Sequence, residues 1–263
     1  MTSYMLMSTR AGLAAIGAVC ALTACTSPSD APSSEGRPSE AAQADSGRLT
    51  ARPGRGGGNC TPGEHWLAVG NGRRALMRVT AGGGPRGKAL ILALHGAGSS
   101  GSRGGLYALR GGWNERGVVM VAPAAAGTTW SFLRGRDEDL PFVDRALKRA
   151  FARCRIDRRR VGIGGFSDGA TYALTLGLVN GDLFRGVIAL SPGGVLAENA
   201  VGKPRVFVAH GTRDNVLPIS RTSDRIVEQL RSFGYRVTYR KFRGGHEVMP
   251  AISRESVRWF LRG

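Results

Sequence analysis

Short apolar runs recur from residue 89 to the end of the chain, and they constrain the fold more than any other feature. Ala89-Leu90-Ile91-Leu92-Ala93-Leu94 is unbroken, and Val118–Ala122 is closed by Pro123. Val161–Phe166, Gly186–Leu190 and Arg205–Ala209 follow, and the more polar Arg236–Phe242 is read as a further strand. Runs of this length suit strands buried on both faces of a parallel sheet. Between them lie stretches read as helices: one centred on Leu106 to Asn114, then Asp139–Arg153, Ala170–Val179, Ser220–Phe233 and Ser253–Leu261. In Asp139–Arg153, Phe142, Val143, Ala146, Leu147, Ala150 and Phe151 fall at helical spacing, and Asp137, Glu138 and Asp139 sit where acids complement the helix dipole. Strands alternating with helices predict an α/β domain, its central sheet mostly parallel and covered by helices on both faces. Sites in such sheets form at the carboxyl ends of the strands. Ahead of these runs, Trp66–Val69 and Ala75–Val79 flank Asn71-Gly72, a hairpin signal.

The first residues read as targeting. Arg10 precedes an apolar run, Ala11 to Leu22, too short to span a bilayer. It ends in Leu22-Thr23-Ala24-Cys25, which resembles the bacterial lipoprotein signal box, where the cysteine becomes the lipidated first residue. Residues 1–24 are expected to be a signal peptide, and Cys25 a lipid anchor on the outer face of the cell membrane. Thr26 to about Gly58 carries almost no large apolar side chain and reads as a flexible tether. The domains expected are therefore a signal peptide (1–24), a lipid-anchored linker (25–59) and one folded domain (60–263). Cys20 lies in the signal segment and Cys25 in the box. That leaves Cys60 and Cys154, which an exported protein is expected to join as a disulfide. No CxxC or His/Cys cluster suggests a metal.

The chain carries 37 basic residues against 19 acidic, a net charge of +18, and only Lys88, Lys148, Lys203 and Lys241 are lysines. The arginines are scattered and accompany no nucleic-acid motif, so no nucleic-acid partner is expected. The surplus is compatible with residence near anionic envelope polymers or lipid headgroups.

Four motifs carry the chemistry. Gly165-Phe166-Ser167-Asp168-Gly169 follows one apolar run and opens a helical stretch, the sequence of a nucleophile elbow. With 40 glycines in 263 residues, that pattern alone is weak; its setting strengthens it. His95-Gly96-Ala97-Gly98 precedes it, and His210-Gly211-Thr212-Arg213-Asp214 and Gly244-Gly245-His246-Glu247 follow, each at the end of an expected strand. In this order the pieces resemble the α/β-hydrolase superfamily, and within it the serine esterases of the phospholipase/carboxylesterase and polyhydroxybutyrate-depolymerase-like groups. The resemblance spans nearly all of residues 64–263. It implies an α/β-hydrolase fold, a Ser-Asp-His machinery and no cofactor.

The chemistry of the residues leads to the same assignment. A serine hydroxyl needs a base, and the base needs a carboxylate to orient it, in the chain order serine, acid, histidine. Only His210 and His246 lie after Ser167. His210 sits too close before Asp214 to follow a loop acid and is expected to shape the acid turn, so His246 is the expected base. Asp214 is preferred as the acid over Asp182, which comes too early, and Asp224, read as lying on a solvated helix face. The oxyanion donors expected are the backbone N–H groups of Ala97 and Asp168. Related elbows often carry a neutral residue where Asp168 stands, and its carboxylate is expected to disfavour anionic substrates. Trp130 and Phe132 are expected either to line a substrate pocket or merely to cover the sheet edge. About a dozen residues separate Leu190 from Arg205, too few for a cap domain, so an open site is expected. The function expected is cleavage of a small-molecule or polymeric carboxylic ester through an acyl-enzyme. A peptidase or thioesterase on the same residues, or a non-catalytic envelope binding protein, are the alternatives; the sequence leaves the acyl length and oligomeric state open.

Overall fold

A computed structural model describes residues 47–57, 60–99, 101–134, 137–197 and 199–263. The expected signal peptide, Cys25 and the tether up to residue 46 lie outside the described residues. Among those described, no helix is long and apolar enough to cross a membrane.

The apolar runs form one eight-stranded sheet in the order β1-β2-β4-β3-β5-β6-β7-β8. The strands are β1 (Gly63–Gly70), β2 (Arg73–Val79), β3 (Lys88–Leu94), β4 (Val118–Pro123), β5 (Ile156–Phe166), β6 (Gly186–Leu190), β7 (Arg205–Gly211) and β8 (Val237–Phe242). The β1–β2 hairpin turns at Asn71, whose φ is 52°, and Gly72, and β2 pairs antiparallel with β4. From β4 to β8 the sheet is parallel. The buried parts of β3 to β7 are apolar because alternate residues serve two cores, whereas β8 at the sheet's edge is polar and only partly buried. Leu90, Leu92 and Leu94 of β3 face one side with α2 (Leu140–Arg153), α3 (Asp168–Val179) and α4 (Ser223–Ser232). Ala89, Ile91 and Ala93 face the other with α1 (Ser102–Ala108) and α5 (Pro250–Leu261). This is the two-faced burial that continuous apolar runs require.

Several boundaries differ from the sequence expectation: β5 starts at Ile156 rather than Val161, α4 at Ser223 rather than Ser220, and α5 at Pro250 rather than Ser253. The first helix lies at Ser102–Ala108, followed by a short 3-10 turn at Arg110–Gly112, rather than centred on Leu106 to Asn114. The folded domain also starts before Cys60. Leu49 and Ala51 are buried in the core, and the backbone N–H groups of Thr50 and Ala51 donate to Asp144 Oδ1, each at 2.7 Å. The Leu49 N–H donates to Asn180 Oδ1 at 2.8 Å. Residues 47–57 thus form a strap across α2 and the end of α3, not the last part of a tether: two small apolar anchors suffice once the backbone donors find buried acceptors. Cys60 and Cys154 are bonded as a disulfide that links the strap's exit to the end of α2.

Candidate active site

Ser167 sits at the carboxyl edge of the sheet, in the turn between β5 and α3, with φ 56°. For a serine this is a sparsely populated conformation that surrounding structure must enforce. Its N–H donates to the Leu190 carbonyl at 2.9 Å, and its carbonyl accepts from Ala170 and Thr171 at 2.9 and 3.0 Å. Both flanking glycines are sterically required. A Cβ at Gly165 would lie 2.5 Å from the Gly169 carbonyl group, and one at Gly169 would lie 2.4 Å from the carbonyl oxygens of Leu94 and His95.

Asp214 and His246 come from the loops after β7 and β8, which are stitched together by backbone bonds. Thr212 N–H donates to the Phe242 carbonyl at 2.8 Å, and Arg213 N–H to the Gly244 carbonyl at 2.9 Å. His246 Nδ1 lies 2.7 Å from Asp214 Oδ2, and its Nε2 lies 2.9 Å from Ser167 Oγ. With Nδ1–H donating to the carboxylate, Nε2 is free to accept the serine proton. Asp214 Oδ1 accepts from the N–H groups of Val216 and Leu217 at 3.0 and 2.8 Å. Burial acts to raise the Asp214 pKa, but the Leu217 amide and His246 together hold it below the usual carboxylate value. The Phe166 ring lies against the imidazole, 4.7 Å between centroids.

His210 is fully buried, with Nδ1 2.6 Å from Ser223 Oγ and Nε2 2.8 Å from the Leu217 carbonyl. Burial lowers its pKa, which suits a neutral ring that fixes the acid turn. Asp182 pairs with Arg48 and Arg52, and Asp224 with Tyr239 and Lys241, so both carboxylates are engaged elsewhere.

Facing Ser167 is the loop after β3. A Cβ on Gly96 would lie 3.3 Å from Ser167 Cβ, which brings the Gly96-Ala97 backbone directly against the serine. Asp168 is the first residue of α3, where an N–H has no acceptor within its own helix. His95 braces the loop from beneath: its Nε2 accepts from the Ala125 N–H at 3.0 Å, and its Nδ1 donates to the Gly96 carbonyl at 2.9 Å. The Gly98 N–H donates to the Thr128 carbonyl at 2.8 Å.

Trp130 does not line a pocket. It is fully buried, its indole N–H donates to the His95 carbonyl at 2.9 Å, and its ring packs at a tilt between those of His95 and Tyr172. A large ring with one polar group is held where both demands are met, under the loop that carries Ala97. Phe132 stacks on Tyr172 at 4.5 Å and is half-buried. Asp139, expected to serve the helix dipole, is instead the clasp of the Trp130 loop. Fully buried, it pairs with Arg73 at 2.7 Å and accepts the N–H groups of Ala126 and Ser131 at 2.8 and 2.9 Å. Sequence reasoning missed Thr129, whose hydroxyl donates to Asp168 Oδ2 at 2.5 Å and fixes that carboxylate beside the serine. Among the described residues, no group of three or more His, Cys, Asp or Glu has the arrangement of a metal site. The segment between β6 and β7, Ser191–Pro204, adds no helix or strand among its described residues.

Residues 139–262 match the profile of the phospholipase/carboxylesterase family. The crystal structure of esterase PE8 is 25% identical, covers 71% of this chain and 96% of its own, and superposes with a TM-score of 0.57. The chain has the α/β-hydrolase fold. Similar in fold are the Bacillus cereus carboxylesterase (17% identity, 73% of this chain and 95% of that one, TM-score 0.55) and a phospholipase/carboxylesterase from Dyadobacter fermentans (23% identity, 71% and 95%, TM-score 0.54). No curated protein sequence matches significantly. The family match and the esterase neighbours support a carboxylic ester hydrolase. In the α/β-hydrolase arrangement, the match begins at Asp139 and so contains Ser167, Asp214 and His246, while the His95–Gly98 loop lies before it.

Proposed function

We propose that the chain is a serine hydrolase that cleaves carboxylic esters by way of an acyl-enzyme, held outside the membrane by a lipid on Cys25. The observation that carries this reading is the contact series Asp214–His246–Ser167, 2.7 and 2.9 Å, at the carboxyl edge of the sheet. Ser167 Oγ attacks the ester carbonyl carbon and its proton passes to His246 Nε2. The carbonyl oxygen, now an anion, is received by the Ala97 and Asp168 N–H groups. Collapse of this intermediate breaks the bond to the alcohol, which leaves with the proton from His246. Water then gives a proton to the same nitrogen, attacks the acyl group and releases the acid, and the proton returns to Ser167. Asp214 keeps the imidazole in the tautomer that accepts at Nε2 and stabilises its charged form. Export is supported by the Leu22-Thr23-Ala24-Cys25 box and by the disulfide, which belongs to an oxidising compartment.

Hydrolysis of p-nitrophenyl acetate and butyrate, with Ser167→Ala beside the unaltered protein, tests the chemistry. The variant is expected to lose at least about 1,000-fold in kcat. A fluorophosphonate is expected to label the unaltered protein at Ser167 alone. Equal rates in both proteins, with no labelling, would overturn the reading. Mass spectrometry of the protein from a bacterial membrane fraction, showing diacylglycerol on Cys25, tests the tether.

A further inference from the structure

The two edges of the sheet differ in charge. At the carboxyl edge cations and acids mix, as in Arg213 beside Asp214 and Arg243 near Glu247. At the amino edge every parallel strand is led by a cation. Arg116 comes just before β4, Lys88 opens β3, and Arg158 and Arg159 lie in the first residues of β5. Arg185 comes just before β6, Arg205 opens β7, and Arg236 comes just before β8. The acids nearby are already engaged: Asp157 pairs with Arg86 at 3.3 Å, and Asp182 with Arg48 at 3.0 Å and Arg52 at 2.7 Å. A cleft of about 510 Å³ is walled by Arg55, Arg86, Arg155, Arg158 and Arg159, and a second of about 450 Å³ by Arg159, Arg185, Lys203, Arg205 and Arg236. The crowding is felt by the groups themselves. Burial and then the charge of Arg236 lower the Arg205 pKa, and burial and then Arg116 lower that of Lys88.

The chain also enters the domain at this edge. Asn180 Nδ2, at the end of α3, donates to the Gly47 carbonyl at 2.9 Å. α3 starts beside Ser167 at the opposite edge, and its 12 residues span about 18 Å. We propose that the amino edge of the sheet docks on an anionic phospholipid bilayer, its arginines receiving headgroup phosphates, so that Ser167 opens toward the aqueous side. The charges extend along the whole parallel sheet, six strands at about 4.8 Å spacing, which suits a plane of headgroups rather than a single polymer strand in a groove. Arginine forks match phosphate oxygens in pairs. The inference stands whether or not Cys25 carries a lipid.

The experiment is hydrogen exchange of the full chain reconstituted in vesicles of phosphatidylcholine alone or with 30% phosphatidylglycerol, at 0.1 and 0.5 M salt. The expected result is slowed exchange in 155–160, 183–186, 203–206 and 234–237 on the anionic vesicles only, lost at high salt. It is also lost in Arg159→Glu/Arg185→Glu/Arg236→Glu, three exposed side chains remote from the catalytic edge. Ester hydrolysis by that variant is expected to remain unchanged, which separates lost docking from lost folding or a failed esterase assignment. Equal protection on neutral vesicles, no protection on either, or protection by soluble polyglycerol phosphate but not by vesicles would each overturn the proposal.

Discussion

A methyl group added at Gly169 has nowhere to go, because the carbonyl oxygens of Leu94 and His95 already stand at 2.4 Å. Gly169→Ala is therefore expected to cost about 3 kcal/mol in chemical denaturation and most of the esterase activity. Gly194→Ala, where the added atom meets nothing within 4 Å, stays within about 0.5 kcal/mol. Asp168 offers a second test at this scale. Its carboxylate is pinned by Thr129 beside the serine, so a carboxylate on the substrate meets a fixed like charge. Asp168→Asn keeps an acceptor for Thr129 and removes that charge. It should raise kcat/KM for p-nitrophenyl hemisuccinate by about fivefold, the worth of roughly 1 kcal/mol, and leave p-nitrophenyl butyrate unchanged. The contacts among Ser167, His246 and Asp214 were legible in the sequence because each residue follows the end of a strand run, and chain order left few other candidates. Thr129 and Trp130 were not. Their loop is shaped by Asp139 and Arg73, 66 positions apart, and no local pattern announces that contact.

Elements were easiest to read where burial is two-sided. The β3, β4, β6 and β7 runs lie within two residues of the observed strands, because a strand between two helical layers is apolar along its buried length. β5 starts five residues before its apolar run, at Ile156, since its charged first residues carry no such signal. The strap at 47–57 was hidden for the opposite reason. Its hold is mostly polar, made to Asp144 and Asn180 more than 90 positions away, and only Leu49, Ala51 and Pro53 mark it in the sequence. The disulfide closes 94 residues of chain, so Cys60→Ser/Cys154→Ser should lose about 4 kcal/mol, seen as an earlier urea midpoint that dithiothreitol reproduces in the unaltered protein. The approach to α2 carries a pH signature. Burial, against the opposing hydrogen bond from Tyr172 and with help from the charge of Asp139, raises the Asp137 pKa from 3.8 to about 6. Between about pH 4 and 6 the unfolded chain has released this proton and the folded chain still holds it. Stability therefore falls as pH rises through that window and is level above it. The loss is about 3 kcal/mol at most. Asp137→Asn should remove this part of the slope, measured as the difference in urea stability between pH 4 and 7 for the two proteins.

For the whole molecule, the sheet separates two tasks. Loops at the carboxyl edge hold the Asp214–His246–Ser167 contacts, and the amino edge holds a row of cations, with a cation at the start of each parallel strand. The alternation of strands and helices foretold the first, since sites in such sheets collect at strand ends. It did not foretell the second, because arginines scattered along the sequence become a face only when parallel strands bring their starts together. Both ends of the described chain lie at that same edge: Gly47 meets Asn180, and Gly263 lies against the Arg205 guanidinium. The protein is thus suited to immobilisation. Coupled to a bead through a C-terminal tag, it should keep the kcat/KM of the free protein toward p-nitrophenyl butyrate. Coupling through a cysteine placed at Val216, an exposed position two residues past Asp214, should block substrate entry and reduce the rate severalfold or more.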